Sequence, residues 1–349
     1  MSDYTEYDFY GYLSVRLDSR HRGYRRYFDN EYLRIAGRGA ATPGAPQIRV
    51  EIPRRLPEAQ PGDLVRTVRF KKLFTFRYLV RGLGGDVVTI YFQRHWLDSV
   101  YMNAIGVFLQ AQVLEPIMYM KFLDVGIVFL HAAGVVRDGE GILMPAYGGT
   151  GKTTLSMALM ADGYQLLGDD LLIVDVAAEK VYPYPRPLHI FTYNVKNLRG
   201  ARIPFKYRAA VYLKNVIRWP LERILRTEFL ISTRIHADEI FSGDLFGEPG
   251  RVAAIGFLRK EGEVVELVTI TPENVERIAD EIARSADLND SLRDLLGADN
   301  PLWASVHERE LEVLAELLRR RGLIAYVNTR RLDLDHLEGF RERILGRDA

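Results

Sequence analysis

The chain of 349 residues contains no cysteine. Disulfide bonds, thiol catalysis and thiolate metal sites are therefore excluded. Long hydrophobic runs are also missing, because no segment approaches the ~18 uninterrupted apolar residues of a membrane-spanning helix. Residues 1–6 are polar and acidic, unlike a secretory signal. These absences predict a cytoplasmic protein with no membrane partner.

The chain has little net charge, +1 in total, but this charge is unevenly distributed. Residues 1–100 hold 17 Lys and Arg against 11 Asp and Glu, a net charge of +6, and residues 101–349 hold 30 against 35, a net charge of −5. A basic excess can bind nucleic acid or an acidic peptide, but a solvated strand face explains it as well. We favour the solvated face and expect no nucleic acid partner.

The most informative stretch is a glycine-rich run, Ala-Tyr-Gly-Gly-Thr-Gly-Lys-Thr-Thr, at residues 146–154. Apolar residues 141–144 before it predict a buried strand, and residues 155–160 after it predict a helix that ends at Gly163. A strand, a glycine-rich turn and a helix that begins with Gly-Lys-Thr form a phosphate-binding loop. Ala146 stands where the usual pattern has its first glycine, and alanine fits there if its φ stays negative.

Each part of this loop has an expected role in binding ATP and Mg²⁺. The glycines let backbone N–H groups turn towards phosphate oxygens, and the helix N-terminus adds partial positive charge. Lys152 is expected to reach the β- and γ-phosphates, and the Thr153 hydroxyl is expected to bind Mg²⁺. The predicted nucleotide-binding residues are Gly148, Gly149, Thr150, Gly151, Lys152, Thr153 and Thr154.

Residues 1–100 are predicted to form a β-rich region that recognises the substrate. The run at residues 21–28, rich in Arg and Tyr, could stack on bases or clamp phosphate. A strand face with cross-strand aromatic pairs explains it as well, and we favour that interpretation. Alternation of apolar and polar residues predicts strands at residues 10–17, 48–52, 65–70 and 87–92.

Residues 101–349 are predicted to form one nucleotide-binding and catalytic domain. Residues 103–124 have helical spacing interrupted by Pro116, which predicts two short helices or one kinked helix. Residues 127–136 predict a strand that turns back through Asp138-Gly139 as a hairpin. Later strands are predicted at residues 252–258, 264–270 and 323–327, and later helices at 272–285, 303–321 and 334–345.

Two adjacent carboxylates, Asp169 and Asp170, follow an apolar run that begins at residue 165. A strand there places them near the phosphate loop if the two strands are neighbours. A solvated turn is the alternative, but two adjacent carboxylates without a cation repel each other, which favours a functional pair.

Residues 181–190 contain three prolines, which predict extended backbone with exposed side chains. Arg186 lies among these prolines. It either pairs with a phosphate or is a surface arginine.

The chain resembles the HPr kinase/phosphorylase family over about residues 127–190. The resemblance rests on three features that occur in the same order: His131, the phosphate loop and the run Gly168-Asp169-Asp170. The resemblance is closest to HPr-kinase-like proteins outside the sugar-regulation system, some of which phosphorylate serine in precursor peptides. It implies an α/β fold with a P-loop nucleotide domain of the PEP-carboxykinase type. The implied domain is a mixed sheet with helices, preceded here by the β-rich N-terminal region.

The resemblance also implies catalytic roles for Asp169, His131 and Lys152. Asp169 looks like the base that takes the proton of the attacking hydroxyl, and His131 looks like the histidine beside the transferring phosphate. Asp170 looks like the acid near the metal, which it would bind together with Thr153. A histidine on an apolar strand is more often a core residue, so the role of His131 depends on the resemblance.

The chain departs from the family pattern in two places. Ala146 replaces a glycine, and the glycine-rich segment with a metal-binding glutamate that follows the paired aspartates in HPr enzymes has no counterpart. HPr as the substrate, the reverse phosphorolysis and a hexameric assembly are therefore not implied. Whether the chain forms a homo-oligomer is left open.

The sequence therefore predicts an ATP-dependent kinase that transfers the γ-phosphate to a hydroxyl, with serine the expected acceptor, on a protein, peptide or small molecule. Phosphoryl transfer needs a clamped γ-phosphate, neutralised charge and an oriented acceptor, and these residue types supply all three. The alternative is a non-catalytic ATP-binding regulatory module, which needs one metal-associated acid but no base. A simple ATPase or GTPase is disfavoured, because the guanine-selecting run Asn-Lys-x-Asp is absent.

Overall fold

The computed structural model describes residues 3–18, 20–32, 34–35, 44–70, 74–190, 209, 233–239, 245–297 and 299–346. Most of residues 200–250, for which the sequence shows no clear pattern, lies outside the described residues. The chain divides into two compact units. Unit 1 combines Met1–Phe129 with Ala286–Ala315, and unit 2 combines Leu130–Ser285 with Glu316–Ala349.

The described residues form helices and strands that we number in chain order. The helices are α1, Arg22–Tyr32; α2, Asp98–Leu109; α3, Glu115–Asp124; α4, Lys152–Ala161; α5, Val275–Arg284; α6, Asp287–Leu296; α7, Pro301–Arg321; and α8, Phe340–Leu345. A π-helical turn spans Gln110–Leu114, and a 3₁₀ turn spans Ala237–Glu239.

The strands follow the same convention. They are β1, Tyr4–Phe9; β2, Leu13–Asp18; β3, Gln47–Glu51; β4, Leu64–Phe70; β5, Phe74–Arg81; β6, Val87–Phe92; β7, Ile127–Leu130; β8, Ala132–Arg137; β9, Glu140–Pro145; β10, Gln165–Gly168; β11, Leu172–Asp175; β12, Lys180–Tyr182; β13, Leu188–Ile190; β14, Thr233–Ile235; β15, Gly250–Arg259; β16, Val265–Thr269; and β17, Leu323–Asn328. Helices with mixed parallel and antiparallel sheets confirm the predicted α/β class.

Unit 1 contains a six-stranded sheet in the order β1-β2-β3-β6-β5-β4. The pairs β2–β3 and β3–β6 are parallel, and the other neighbours are antiparallel. Strands β3 and β6 alternate buried and more exposed residues, because successive side chains point to opposite faces of a sheet. The boundary expected near residue 100 falls inside α2, Asp98–Leu109.

The aromatic run at residues 21–28 belongs to helix α1, so its assignment to a strand face is wrong. Tyr24, Tyr27 and Phe28 are buried, as is Tyr32, and their spacing of three and four residues puts them on one helical face. Tyr32 packs edge-on against Tyr7 at 5.2 Å between ring centroids. The spacing of the buried aromatic residues fits a helix better than a strand, because a strand would put Tyr24 and Tyr27 on opposite faces.

Residues 98–124 are one helical run with a π-helical turn between α2 and α3, rather than two helices separated at Pro116. Pro116 lies at the start of α3, where its missing N–H costs little. The Tyr27 hydroxyl donates to Gln110 Oε1 at 2.7 Å, and Gln110 Nε2 donates to Glu115 Oε1 at 2.9 Å. This buried network satisfies polar groups at the π-helical turn.

Unit 2 contains a sheet with the order β10-β8-β9-β15-β12-β11, and β17 pairs with both β15 and β16. The predicted hairpin is confirmed, because Asp138 and Gly139 both have positive φ, 53° and 74°, as a tight two-residue turn requires. Helix α4 packs on this sheet through Leu155 and Leu159, both buried. Each buried leucine contributes about 2 kcal/mol, which holds α4 against the sheet.

Strand directions bring three chain segments to one edge of this sheet. Strand β9 is antiparallel to β8, and β8 is antiparallel to β10, so β9 and β10 run the same way and end at the same edge. The glycine-rich loop at residues 146–151 follows β9, and Asp169 follows β10. His131 immediately precedes β8 and lies at that edge too. The single strand predicted at residues 127–136 is in fact two strands, β7 and β8, interrupted at His131.

The predicted closing helix at residues 334–345 is shorter than expected, since α8 covers only Phe340–Leu345. Leu332 and Leu337, before the helix, are buried in the core of unit 2. Among the residues that the structure describes, no helix is both long and apolar enough to cross a membrane.

Candidate phosphate-binding and catalytic site

The glycine-rich loop turns sharply between β9 and α4, and two of its glycines have positive φ. Gly149 has a φ of 70° and Gly151, which caps α4, a φ of 107°, a conformation that L-residues with a Cβ rarely adopt. Ala146 is fully buried, forms a bridge with Leu258, and does not have a positive φ, as its alanine requires. The glycines are thus present where the backbone needs them.

Two hydroxyl groups hold the loop in this shape. The Thr150 hydroxyl donates to the Tyr147 carbonyl at 2.6 Å. The Thr329 hydroxyl, just after β17, donates to the Thr150 carbonyl at 2.7 Å. Thr329 lies beside the loop because β17 is parallel to β15 and β15 is parallel to β9, so all three strands end at one edge.

The first turn of α4 carries Lys152, Thr153 and Thr154 immediately after the loop. The Lys152 ammonium donates to the Ala146 carbonyl at 2.7 Å and lies 3.3 Å from His131 Nε2. The lysine therefore folds back over the loop. This is the orientation that a phosphate-binding lysine needs.

The Thr153 hydroxyl donates to Asp169 Oδ2 at 2.8 Å. The other carboxylate oxygen, Oδ1, is buried and has no hydrogen-bond partner among the described residues. The pKa of Asp169 is raised to about 6: burial is the largest cause, the Asp170 carboxylate also raises it, and Thr153, Lys152 and His131 lower it. The effect of desolvation outweighs the lowering of the pKa by these groups, because the group with the largest lowering effect is a neutral hydroxyl rather than a cation.

His131 links the loop to Asp170 and to helix α5. Its Nδ1 lies 2.8 Å from the Ser285 carbonyl, just after α5. Because a carbonyl only accepts, Nδ1 must carry the hydrogen. The other nitrogen, Nε2, lies between Lys152 and Asp170, which is 3.2 Å away. A neutral ring accepts from Lys152, and a protonated ring donates to Asp170.

Asp170 is half-exposed, and each of its two carboxylate oxygens faces a different side chain. Oδ1 faces His131, and Oδ2 lies 3.7 Å from the Arg186 guanidinium. Only 8% of the Arg186 side chain is exposed, so it is not a surface arginine. The cation that the paired carboxylates require is therefore present beside them.

The proline-rich segment that carries Arg186 is buried, contrary to the expectation of exposed side chains. Its prolines are buried, as is Tyr184, whose N–H donates to the Leu167 carbonyl of β10 at 2.8 Å. Residues 183–187 have no regular secondary structure, and the Arg186 N–H donates to the Tyr184 carbonyl at 3.0 Å, so the segment turns there. Proline fixes backbone shape without deciding whether other elements cover it, and here the segment crosses the end of β10.

A phosphate-binding role for the glycine-rich loop would imply Mg²⁺. Hydroxyl and carboxylate oxygens are the ligands that Mg²⁺ prefers, and the Thr153 hydroxyl and the half-exposed Asp170 carboxylate supply both kinds at this edge of the sheet. Across the described part of the chain, no group of three or more His, Asp or Glu side chains is arranged to hold a metal. Mg²⁺ bound by nucleotide phosphates needs only one or two protein ligands, so the residues fit.

The structure brings the predicted site residues together in two groups. Thr153 contacts Asp169, and Lys152 lies beside His131, which contacts Asp170. The predicted metal pair of Thr153 and Asp170 is not joined directly, since the Thr153 hydroxyl donates to Asp169 instead.

Two contributors to the site were missed in the sequence. Ser285 acts through its carbonyl, which any residue could supply, so no sequence signal marks it. Thr329 follows a predicted strand, and the rule that parallel strands end at one edge was the only available signal.

No protein-family model matches this chain, and no curated protein is similar to it in sequence.

Proposed function

We propose that this protein is an ATP-dependent kinase of the HPr-kinase-like type, which transfers the γ-phosphate to a hydroxyl, with serine the expected acceptor. One observation carries the proposal: a phosphate loop lies at the same sheet edge as a buried carboxylate, and its Thr153 hydroxyl donates to that carboxylate, Asp169. A nucleotide domain of the PEP-carboxykinase type accounts for this arrangement. The protein has Mg-ATP and a hydroxyl compound as its substrates.

Phosphate binding rests on the loop and on Lys152. The N–H groups of the first turn of α4 have no acceptor within the helix, and they provide donors for phosphate oxygens. Lys152 adds a positive charge at the β- and γ-phosphates. Thr153 and Asp170 would hold Mg²⁺, which neutralises charge on the transferring group when it is bound.

Transfer forms one P–O bond and breaks another. The acceptor hydroxyl attacks the γ-phosphorus, and the bond between that phosphorus and the β–γ bridging oxygen breaks, so ADP leaves with that oxygen. Asp169 takes the proton of the acceptor hydroxyl. Its buried Oδ1 is the available acceptor, because Oδ2 already accepts from Thr153.

The raised pKa of Asp169 suits this role. A carboxylate with the ordinary pKa of about 4 is a weak base, whereas one near 6 binds a proton more readily and remains largely ionised at neutral pH. Burial thus improves the base without removing it from its working form.

The proposal is tested by Mg-ATP binding to the wild type and to Lys152→Ala, measured by calorimetry. We expect the substitution to weaken binding by roughly 100-fold, since it removes the only charged side chain of the loop. Circular dichroism should be unchanged, because Lys152 faces ligand rather than core. Equal affinities would refute the phosphate-loop assignment.

A second experiment separates a kinase from a regulatory module. The wild type is incubated with γ-labelled ATP and a cell lysate, with Lys152→Ala as the matched control. A species labelled by the wild type and not by the variant supports transfer. Tight Mg-ATP binding with no labelled species favours the module that transfers nothing.

A further inference from the structure

Thr329 contacts the glycine-rich loop from the end of β17 and has no role in the proposed reaction. Its hydroxyl donates to the Thr150 carbonyl at 2.7 Å, although the two residues are 179 positions apart in sequence. The Thr329 side chain also lies beside Gly151, since a Cβ added at Gly151 would be 3.6 Å from the Thr329 Cβ. Thr329 therefore touches the loop at the two residues that precede Lys152.

The turn that carries Thr329 is held by hydrogen bonds of its own. The Thr329 N–H donates to the Arg259 carbonyl at the end of β15, at 3.0 Å. The side chain of Asn328 is buried, its Nδ2 donates to the Gly262 carbonyl at 2.8 Å, and its Oδ1 accepts from the Arg330 N–H at 3.1 Å. The Thr329 hydroxyl is thus placed by the ends of two strands rather than by the loop itself.

The hydrogen bond from Thr329 fixes the orientation of one peptide group of the loop. In a planar trans peptide, the C=O and the N–H point in opposite directions. Because the Thr150 carbonyl points towards Thr329, the N–H of the same peptide group, which belongs to Gly151, points away from it. Across the described part of the chain, this N–H has no acceptor. It precedes α4, whose first N–H groups also lack acceptors within the helix.

Glycine alone does not hold this peptide group in one orientation. Gly151 has a φ of 107°, and glycine populates many backbone conformations, so the group in front of it needs an external constraint. The Thr150 hydroxyl constrains the start of the loop, where it donates to the Tyr147 carbonyl. Thr329 constrains the end of the loop. A donor that is already oriented loses less entropy when a ligand binds.

We propose that Thr329 is a positioning residue for nucleotide binding, whose hydroxyl keeps the Gly151 N–H directed at the α- and β-phosphates. This inference rests on the proposed function, and it extends the site to the end of β17. The backbone N–H groups of a phosphate loop cradle the α- and β-phosphates, whereas its lysine reaches the β- and γ-phosphates. Thr329 should therefore affect ATP and ADP alike, because both nucleotides have the α- and β-phosphates.

Calorimetry with Mg-ATP and with Mg-ADP compares the wild type, Thr329→Val, Thr329→Ser and the control Ser305→Ala. Valine matches threonine in size but lacks the hydroxyl, and serine keeps it. Ser305, in unit 1, donates its hydroxyl to the Leu302 carbonyl at 3.0 Å, so the control removes a comparable hydrogen bond. We expect Thr329→Val to weaken both nucleotides by the same factor of about ten, and Thr329→Ser to stay within about twofold of the wild type. Ser305→Ala should change neither affinity.

Nuclear magnetic resonance reads the proposed donor directly. Thr150-Gly151 is the only Thr-Gly pair in the chain, so ¹³C-carbonyl threonine with ¹⁵N-glycine gives a single signal that joins these two residues. When the wild type binds Mg-ADP, the Gly151 amide proton should move downfield, because a charged phosphate oxygen becomes its acceptor. Without nucleotide, the Thr150 carbonyl signal should change in Thr329→Val, which lacks the donor, and should be restored in Thr329→Ser.

The outcomes separate this inference from the proposed function. A wild type that binds neither nucleotide overturns both. If the wild type binds both nucleotides and Thr329→Val binds them equally well, only the role of Thr329 is overturned. A Gly151 amide proton that does not move when the wild type binds Mg-ADP has the same consequence, and this measurement needs no folded variant.

Two further results would also overturn the role of Thr329. Weaker binding of ATP alone would mean that Thr329 acts on the γ-phosphate and not through the Gly151 N–H. Weaker binding of both nucleotides that Thr329→Ser does not restore, together with lower thermal stability, would assign Thr329 a structural role only.

Discussion

The carboxylates at the two ends of strand β9 have contrasting surroundings. At its start, Glu140 is paired with two arginines, Arg251 at 2.8 Å and Arg341. Beyond its end lies the glycine-rich loop that leads into α4. There the Asp169 carboxylate accepts a hydrogen bond from the neutral hydroxyl of Thr153.

The two carboxyl groups have pKa values shifted in opposite directions. Hydrogen bonding from Arg341, followed by that from Arg251, lowers the pKa of Glu140 against the effect of burial. Burial raises the pKa of Asp169 to about 6. A lowered pKa means that ionisation stabilises the fold, and a raised pKa means that ionisation destabilises it.

This difference separates a structural carboxylate from a reactive one. The charge of Glu140 is compensated by the two arginines beside it, and these ion pairs stabilise the hairpin. At the other end, charge remains incompletely compensated, which costs stability and leaves a carboxylate that can take up a proton or bind a cation. Perturbed carboxylates of this kind are concentrated at functional sites.

The largest effect is expected from a substitution that removes the Asp169 carboxylate. Asp169→Asn keeps size and hydrogen-bonding shape but removes the proton acceptor, so the transfer rate should fall by roughly 10²–10⁴-fold with little change in Mg-ATP affinity. Asp170→Asn should weaken metal-dependent nucleotide binding along with the rate. Calorimetry and single-turnover transfer measure both quantities. Full transfer activity in Asp169→Asn would exclude it as the base.

The same substitution should stabilise the fold above pH 6 in metal-free buffer. The unfolded carboxyl ionises near pH 4 and the folded one near pH 6, so wild-type stability falls as pH rises through this interval. Asp169→Asn does not lose stability in this way. Its free energy of unfolding should exceed that of the wild type by up to about 3 kcal/mol at about pH 7.5 and by almost nothing at about pH 4. Urea unfolding at both pH values checks this. A gain of the same size at both would mean that the carboxylate charge is not its cause.

Glu140→Gln should lower the free energy of unfolding, the opposite of the effect of Asp169→Asn, and by a smaller amount. It removes the charge that two arginines share, and the expected loss is about 1–2 kcal/mol at neutral pH. Because the folded pKa of Glu140 is lowered, this stability is present above about pH 4.5 and is lost as pH falls below it. Urea unfolding across the same pH range measures it, and nucleotide affinity should not change. If Glu140→Gln impairs nucleotide binding, the two ends of β9 are coupled.

The fold was predictable where the signal is local. Periodicity gave strand β6 and the helix after the phosphate loop, and the dipeptide Asp138-Gly139 gave the hairpin. Helix α1 was missed because aromatic residues are typical of strands, although Tyr24, Tyr27 and Phe28 have helical spacing. The division into units was equally hidden, because residues 286–315 join the first 129 residues only through tertiary packing.

In the candidate site, the residue types were predictable and their pairing was not. The sequence marks both Asp169 and Asp170, yet their separate contacts with Thr153 and His131 depend on the order of β8, β9 and β10 in the sheet. Adjacent carboxylates in the bend after β10 look equivalent in sequence, although they contact different side chains.

By itself, the sequence determined the glycine-rich turn, its flanking strand and helix, and the hairpin that leads into it. Backbone preferences of glycine and the spacing of apolar residues act over a few positions, so they are visible without a fold. Only the tertiary structure decided that Arg186 is buried and that the carbonyl of Ser285, 154 residues away in sequence, sets the hydrogen on His131. Burial and long-range hydrogen bonds belong to pairs of distant segments, and those segments meet only when the sheet is assembled.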